Sequence, residues 1–276
     1  MTLESIFANN PDIIINTDID GFLSGMILQK YYDCRIVGFS NSRDTIWVTP
    51  EVRSIYAPVY INLYVNRPDV VCIEQHIISY DRNHHDRIES FRSKLNPNLE
   101  RGRTFMGDLT GDYFHKYPFG TVHYLLSLMA KEGIHVDLGD LNRSCCVNLN
   151  GRRLVTCPGQ VLLRADDALY STLGPYRDNA LDWWEWLDVN HQYPAINAIR
   201  EYITTCDVAK ARDYKQDIGW FFKSLGCDGY DGAFTTITDP DIAMSVLNAE
   251  NLYSYAFIFG PHSTMPNFSY TLDMED

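Results

Sequence analysis

The feature that most constrains the fold is a change of hydrophobic period near the N-terminus. Residues 12–15 form a β-branched run that stops at polar Asn16 and Thr17. After Gly21, the apolar residues Phe22, Leu23, Met26, Ile27 and Tyr31 recur at helical spacing, which reads as strand, acidic turn, helix. Residues 35–39 (RIVGF) predict a second strand, residues 58–65 (PVYINLYV) a third and residues 70–73 (VVCI) a fourth. Strands alternating with helices imply an α/β fold with a mainly parallel sheet flanked by helices.

A helical section is expected next. Residues 120–130 (GTVHYLLSLMA) are amphipathic and end at Lys131-Glu132-Gly133, a C-cap signal. Residues 160–173 and 179–187 carry further helical patterns, and Asn150-Gly151 marks a hairpin turn. From about residue 195 the texture changes. A helix at 195–203, a loop GCDGYDG at 226–232, a strand-like stretch at 233–237 and an apolar run at 255–259 predict a smaller C-terminal α/β segment. The expected division is 1–195 and 196–276.

Charge narrows the partners. A formal net charge of -13 and a pI near 4.9 make the average surface repel polyanions. Long duplex nucleic acid is therefore a poor partner, because phosphate neutralisation supplies most non-specific affinity. A small nucleotide or short oligonucleotide in a local cleft remains compatible. The seven cysteines include no CxxC pair, so they read as reduced thiols of a cytoplasmic protein. The first residues lack the basic start and apolar run of a signal peptide, and no stretch approaches the roughly 20 apolar residues that cross a bilayer. An oligomer is compatible with this composition.

The chemistry concentrates at NTDIDGFLSG, where Asp18 and Asp20 stand one residue apart after a strand. Ligands of open α/β sheets bind at such strand ends, and hard carboxylate oxygens suit Mg²⁺ or Mn²⁺. Gly21 permits a tight turn, and Ser24 is placed to meet a phosphate near a helix N-terminus. The plain alternative is that both aspartates are solvated turn residues capping a helix.

From Asp18 onward this segment resembles the first motif of the DHH phosphoesterase superfamily. PVYINLYV followed by VVCIEQHII resembles the family's next two strands, YPFGTVHYLLSLM its Thr-bearing helix at Thr121, and LLRADDALYSTL its later Asp at Asp166 or Asp167. The resemblance spans roughly residues 10–190. It implies a divalent-metal-dependent phosphohydrolase of a phosphodiester or small nucleotide. Asp18 and Asp20, with Asp166 or Asp167, would hold the metal; Asp18 and His76 are the catalytic candidates. His76 would contact the phosphate, and Ser24 or Thr121 would position it. Four positions depart from the family pattern. Asn16 replaces a His, Asn62 a bridging Asp, and Glu74-Gln75 the first two residues of the Asp-His-His triplet, of which His76 remains. Neutral amides are weak ligands for a dication, so the resemblance implies one Mn²⁺ or Mg²⁺ ion, or none.

Asp81, His84, His85 and Asp86 are further candidate ligands that could repair that deficit, although such a polar loop is usually solvated surface. The DxDG spelling also resembles haloacid-dehalogenase phosphatases, a weaker match because Asn16 and Thr17 interrupt the strand. Trp183, Trp184 and Trp186 read as packing rather than base-stacking residues, and GCDGYDG as a plain turn. Two functions therefore compete: the phosphohydrolase, and a catalytically weakened or inactive module that binds a nucleotide or a protein partner.

Overall fold

The computed structural model describes residues 1–16, 19–40, 45–102, 116–117, 119–136, 146–149, 152–155, 183, 186, 228–231, 240–258 and 267–272. The chain is an α/β protein. Among the described residues its main sheet has seven strands: β1 (Ile13–Asn16), β2 (Ile36–Ser40), β3 (Thr45–Val48), β4 (Val59–Ile61), β5 (Cys72–Ile73), β6 (Lys94–Leu95) and β9 (Asp228–Asp231). Their order is β6-β5-β4-β1-β2-β3-β9. The strands from β6 through β2 run parallel, and β3 and β9 extend the sheet in antiparallel pairs.

The pattern of alternate residues decides the two faces. Ile13 and Ile15 pack with the helix side, against Ile27 and Leu28 of α2 (Ile19–Tyr32) and Val122 and Leu125 of α5 (Thr121–Lys131). Ile14 points the other way, with Val37, Tyr60 and Cys72. All three isoleucines are fully buried, as strands covered on both faces require.

Glycines let α2 sit this close. A β-carbon at Gly21 would lie 2.5 Å from the Asn16 carbonyl oxygen, and one at Gly25 2.9 Å from the Ile15 side chain. Gly21 thus serves close approach from within α2 and not the tight turn expected from sequence. The C-cap of α5 matches its signal. Gly133 takes φ 79°, its N–H reaches Ala130 O, and Ile134 N–H reaches Met129 O at 2.8 Å, a Schellman ending.

Short α1 (Leu3–Phe7) is tied to the far end of α5, since Glu132 accepts the backbone N–H groups of Leu3 at 2.6 Å and Glu4 at 3.0 Å. Three further short elements are α3 (Arg82–His85), a 3₁₀ turn (Ser90–Ser93) and α4 (Pro97–Glu100). A separate hairpin, β7 (Cys146–Leu149) and β8 (Arg152–Val155), flanks Asn150-Gly151 with Leu149 paired to Arg152.

The C-terminal elements are α6 (Pro240–Leu247), β10 (Leu252–Ile258) and β11 (Asn267–Leu272). β10 and β11 form an antiparallel hairpin, which accounts for the apolar run at 255–259. Tyr253 joins the core beneath the main sheet, and Ala243, Leu247 and Tyr255 pack on Tyr64 and Ile78. GCDGYDG was expected to be a turn; Asp228–Asp231 is instead the edge strand β9, paired to β3 through backbone hydrogen bonds that need no apolar side chains. The expected boundary near 195 and the patterns at 160–173, 195–203 and 233–237 lie outside the described residues.

Candidate functional site

Among the described strands, chain order reverses between β1 and β4. From β1 the chain passes to β2 on one side, then returns to add β4, β5 and β6 on the other. The crevice outside the strand ends at such a switch point is where open α/β sheets bind ligands. Here the flanking residues are Asn16, ending β1, and Asn62, following β4. Both are buried, and the Asn16 amide donates to the Asn62 carbonyl at 3.4 Å.

Asn62 has φ 57°, a left-handed conformation that Asn tolerates better than most residues. It ends β4 earlier than the sequence alternation predicted. Its side-chain oxygen accepts the Thr121 hydroxyl at 2.7 Å. Thr121 opens α5, whose N-cap Gly120 has no side chain to offer. The missing cap comes from α2: Asp20 accepts Thr121 N–H at 2.7 Å with Oδ2 and Val122 N–H at 2.8 Å with Oδ1. A carboxylate at a helix N-terminus satisfies orphan donors and complements the helix dipole. The plain expectation that an aspartate here caps a helix therefore applies to Asp20, although the helix is a distant one.

At the next strand end, Glu74 is fully buried. Its Oε2 accepts His76 backbone N–H at 2.6 Å and faces His76 Nδ1 at 3.2 Å, while Oε1 accepts the Asn96 amide. Asn96 also donates to the His76 carbonyl at 2.7 Å, and Asn98 donates to the Gln75 carbonyl at 2.7 Å. Asn98 in turn accepts Tyr117 N–H at 2.7 Å. Sequence reasoning missed Asn96 and Asn98; the Asn-Pro-Asn spelling that opens α4 signals a helix start and carries no hint of contacts to residues 74–76.

A cleft opens beside these strand ends, between the sheet and the β10–β11 hairpin. It is lined by Ser40, Asn62, His76, Tyr60, Tyr253 and Ser254, among others. His76 is the partly exposed imidazole of this cleft, with 34% of its side chain accessible. The hairpin wall is fixed to the body: Tyr253 and Tyr60 share a hydrogen bond between their hydroxyls, and Ser254 Oγ donates to Tyr64 O at 2.6 Å.

The structure thus brings together Asn16, Asn62, Glu74, Gln75, His76, Asp20 and Thr121. Asp18, Asp166 and Asp167 lie outside the described residues. Ser24 lies inside α2, beyond its first turn, and is fully buried, so it is not a helix-terminal phosphate donor. Thr121 is likewise buried, its backbone and hydroxyl directed to Asp20 and Asn62.

Asp81, His84, His85 and Asp86 do not form a second ligand group. Asp81 caps α3 by accepting His84 N–H at 2.7 Å. His84 Nδ1 accepts Tyr80 N–H at 3.1 Å, and His85 stacks on Phe91 with ring centroids 4.5 Å apart. Trp183 is fully buried against Tyr117 and Trp186, with the Arg101 guanidinium 4.6 Å from its ring centre, in keeping with a packing role; Trp184 is outside the described residues.

Among the described residues no group of three His, Cys, Asp or Glu side chains converges on a point where a metal ion would sit. Among the described residues, the side chains flanking the switch point, Asn16 and Asn62, are neutral amides, and the Asp20 carboxylate is engaged by the α5 N-terminus. These residues do not fit a dinuclear Mn²⁺ or Mg²⁺ centre. No helix among the described residues is long and apolar enough to cross a membrane. No known protein family, curated protein or solved structure matches the chain.

Proposed function

We propose that the chain is a DHH-like module that binds a small nucleotide at the C-terminal edge of its sheet without metal-pair hydrolysis. The observation that supports this most is the internal engagement of Asp20, whose two carboxylate oxygens each accept a backbone N–H of α5. Two-metal phosphoryl chemistry needs charged ligands that clamp both the attacking and the leaving oxygen. Here Asn16 donates its side-chain amide to the backbone carbonyl of Asn62, and the Asn62 side chain accepts from Thr121. Amide, hydroxyl and imidazole groups in a cleft still orient a polar ligand, and the acidic surface favours a small ligand over a long duplex. A cytoplasmic location belongs to this reading.

The second reading is the Mn²⁺- or Mg²⁺-dependent phosphohydrolase with Asp18, Asp20 and Asp166 or Asp167 as ligands. It is favoured by the meeting of the β1, β4 and β5 ends at the switch point. Calorimetric titration with ribonucleoside 5′-monophosphates, alongside turnover of bis(p-nitrophenyl) phosphate with Mn²⁺, separates the two. Saturable nucleotide binding without turnover supports the binding module. Mn²⁺-dependent turnover lost in Asp18→Ala supports the hydrolase.

A further inference from the structure

We infer that Glu74 and His76 form a carboxylate–imidazole pair that holds His76 Nε2 toward the cleft as the acceptor for a ligand hydroxyl. The inference deepens the nucleotide reading by naming the ligand group that His76 recognises, and it rests on that reading.

Glu74 follows the last residue of β5 and is fully buried. Its Oε2 binds the His76 backbone N–H at 2.6 Å and lies 3.2 Å from His76 Nδ1. The other oxygen takes the Asn96 amide, which also donates to the His76 carbonyl at 2.7 Å. Asn98 N–H donates to Asn96 Oδ1 at 2.8 Å, and the Asn98 amide holds the Gln75 carbonyl at 2.7 Å. Residues 74–76 are therefore fixed by two asparagines from the start of α4.

A carboxylate accepts only, so the nitrogen facing it must carry the proton. In the neutral form of the ring Nε2 is then the unprotonated nitrogen, and a histidine held this way has a set tautomer and ring orientation. Because Nδ1 is turned to Glu74 and the side chain is 34% accessible on the cleft, Nε2 is the ring nitrogen left for a ligand. An acceptor nitrogen in a cleft that Asn62 and Ser254 also line suits a donor, and in a nucleotide the ribose hydroxyls are such donors.

Glutamate has the length for this. Its carboxylate folds back over the residue two positions on and reaches both the backbone N–H and the ring of His76. Glu74 thus acts as a positioning residue for His76.

¹⁵N NMR of the histidine-labelled full chain, at neutral pH without added metal, reads the pair directly. The expected result is a His76 ring protonated on Nδ1 alone, with mixed tautomers in Glu74→Asp and Glu74→Gln variants whose circular dichroism matches the parent. A parent ring protonated on Nε2 alone overturns the inference. Titration with ribonucleoside 5′-monophosphates should shift the Nε2 resonance, and the 2′,3′-dideoxy counterparts should bind about tenfold more weakly, the equivalent of one hydrogen bond. Equal affinity for the two series refutes hydroxyl recognition. Absence of binding by either series, with the Nδ1 proton in place, refutes the nucleotide reading while upholding the pair.

Discussion

The Asp20 carboxylate fills the space that a side chain at position 120 would need: a β-carbon on Gly120 would lie 2.7 Å from Asp20 Oδ1. The glycine and the aspartate form one device, a helix N-terminus left bare by its own N-cap residue and closed by a carboxylate from α2.

Replacing either partner should destabilise the chain through the same lost bonds. Asp20→Ala is expected to cost about 1–2 kcal/mol, the range of a lost N-cap. Gly120→Ala should cost a similar amount by displacing the carboxylate, yet little more once Asp20 is already alanine. Urea denaturation of the parent, both single variants and the double variant measures this coupling; additive losses would contradict it.

Asn62 combines a left-handed backbone with a hydrogen bond to Thr121. Gly and Ala at this position both lose the bond, but only Ala is strained at φ 57°. Asn62→Ala should therefore be less stable than Asn62→Gly by about 1 kcal/mol, a difference that urea midpoints will read. Equal midpoints would mean that the backbone relaxes.

Asn96 donates to both the buried Glu74 carboxylate and the His76 carbonyl. Asn96→Leu removes these donors without emptying the space, and a buried acceptor left unsatisfied costs about 1–3 kcal/mol. Thermal unfolding should show this loss, together with a His76 NMR signal that is broadened or shifted. An unchanged melting temperature would argue against the network.

Burial, helped by the positive charge of Arg87, pushes the His84 imidazole down to about 4 against the partial opposition of Asp81. Protonation would also break its bond from Tyr80 N–H. In the unfolded chain the ring titrates near 6.5, so between ~6.5 and ~4 the unfolded state binds the extra proton and stability falls as the pH drops. At pH 5 the loss from this group is about 2 kcal/mol relative to pH 7. His123, fully buried and pushed down to about 3 by burial, acts in the same direction below its unfolded value. Urea midpoints at pH 7 and pH 5 should converge less in the parent than in His84→Gln; an identical pH dependence would remove His84 from this account.

The first βαβ unit was readable because Ile13 to Ile15 and the helical spacing after Gly21 are local patterns. The α5 helix and its glycine ending were readable for the same reason. Strands β5 and β6 hold two residues each, too few for a period. In β6, Lys94 hides the burial signal, because its ammonium is buried and donates to the Arg67 and Val70 carbonyls at 2.9 and 2.5 Å. The site was half readable. Asn16, Asn62 and Glu74-Gln75-His76, the positions the resemblance singled out, lie at the ends of β1, β4 and β5. The partners that define their state were not readable, since Asp20 meets α5 across 101 positions and Asn96 meets Glu74 across 22. Local sequence carries no trace of such pairings.

The most direct test of the central claim is calorimetric titration of Mn²⁺ into the chelator-treated parent protein, with Asp18→Ala and Asn62→Asp/Gln75→His beside it. The account predicts no saturable heat in the parent, no change in Asp18→Ala, and measurable Mn²⁺ binding once the charged and imidazole ligands are restored. Stoichiometric Mn²⁺ binding by the parent that disappears in Asp18→Ala would contradict the account and establish a working metal centre at the switch point.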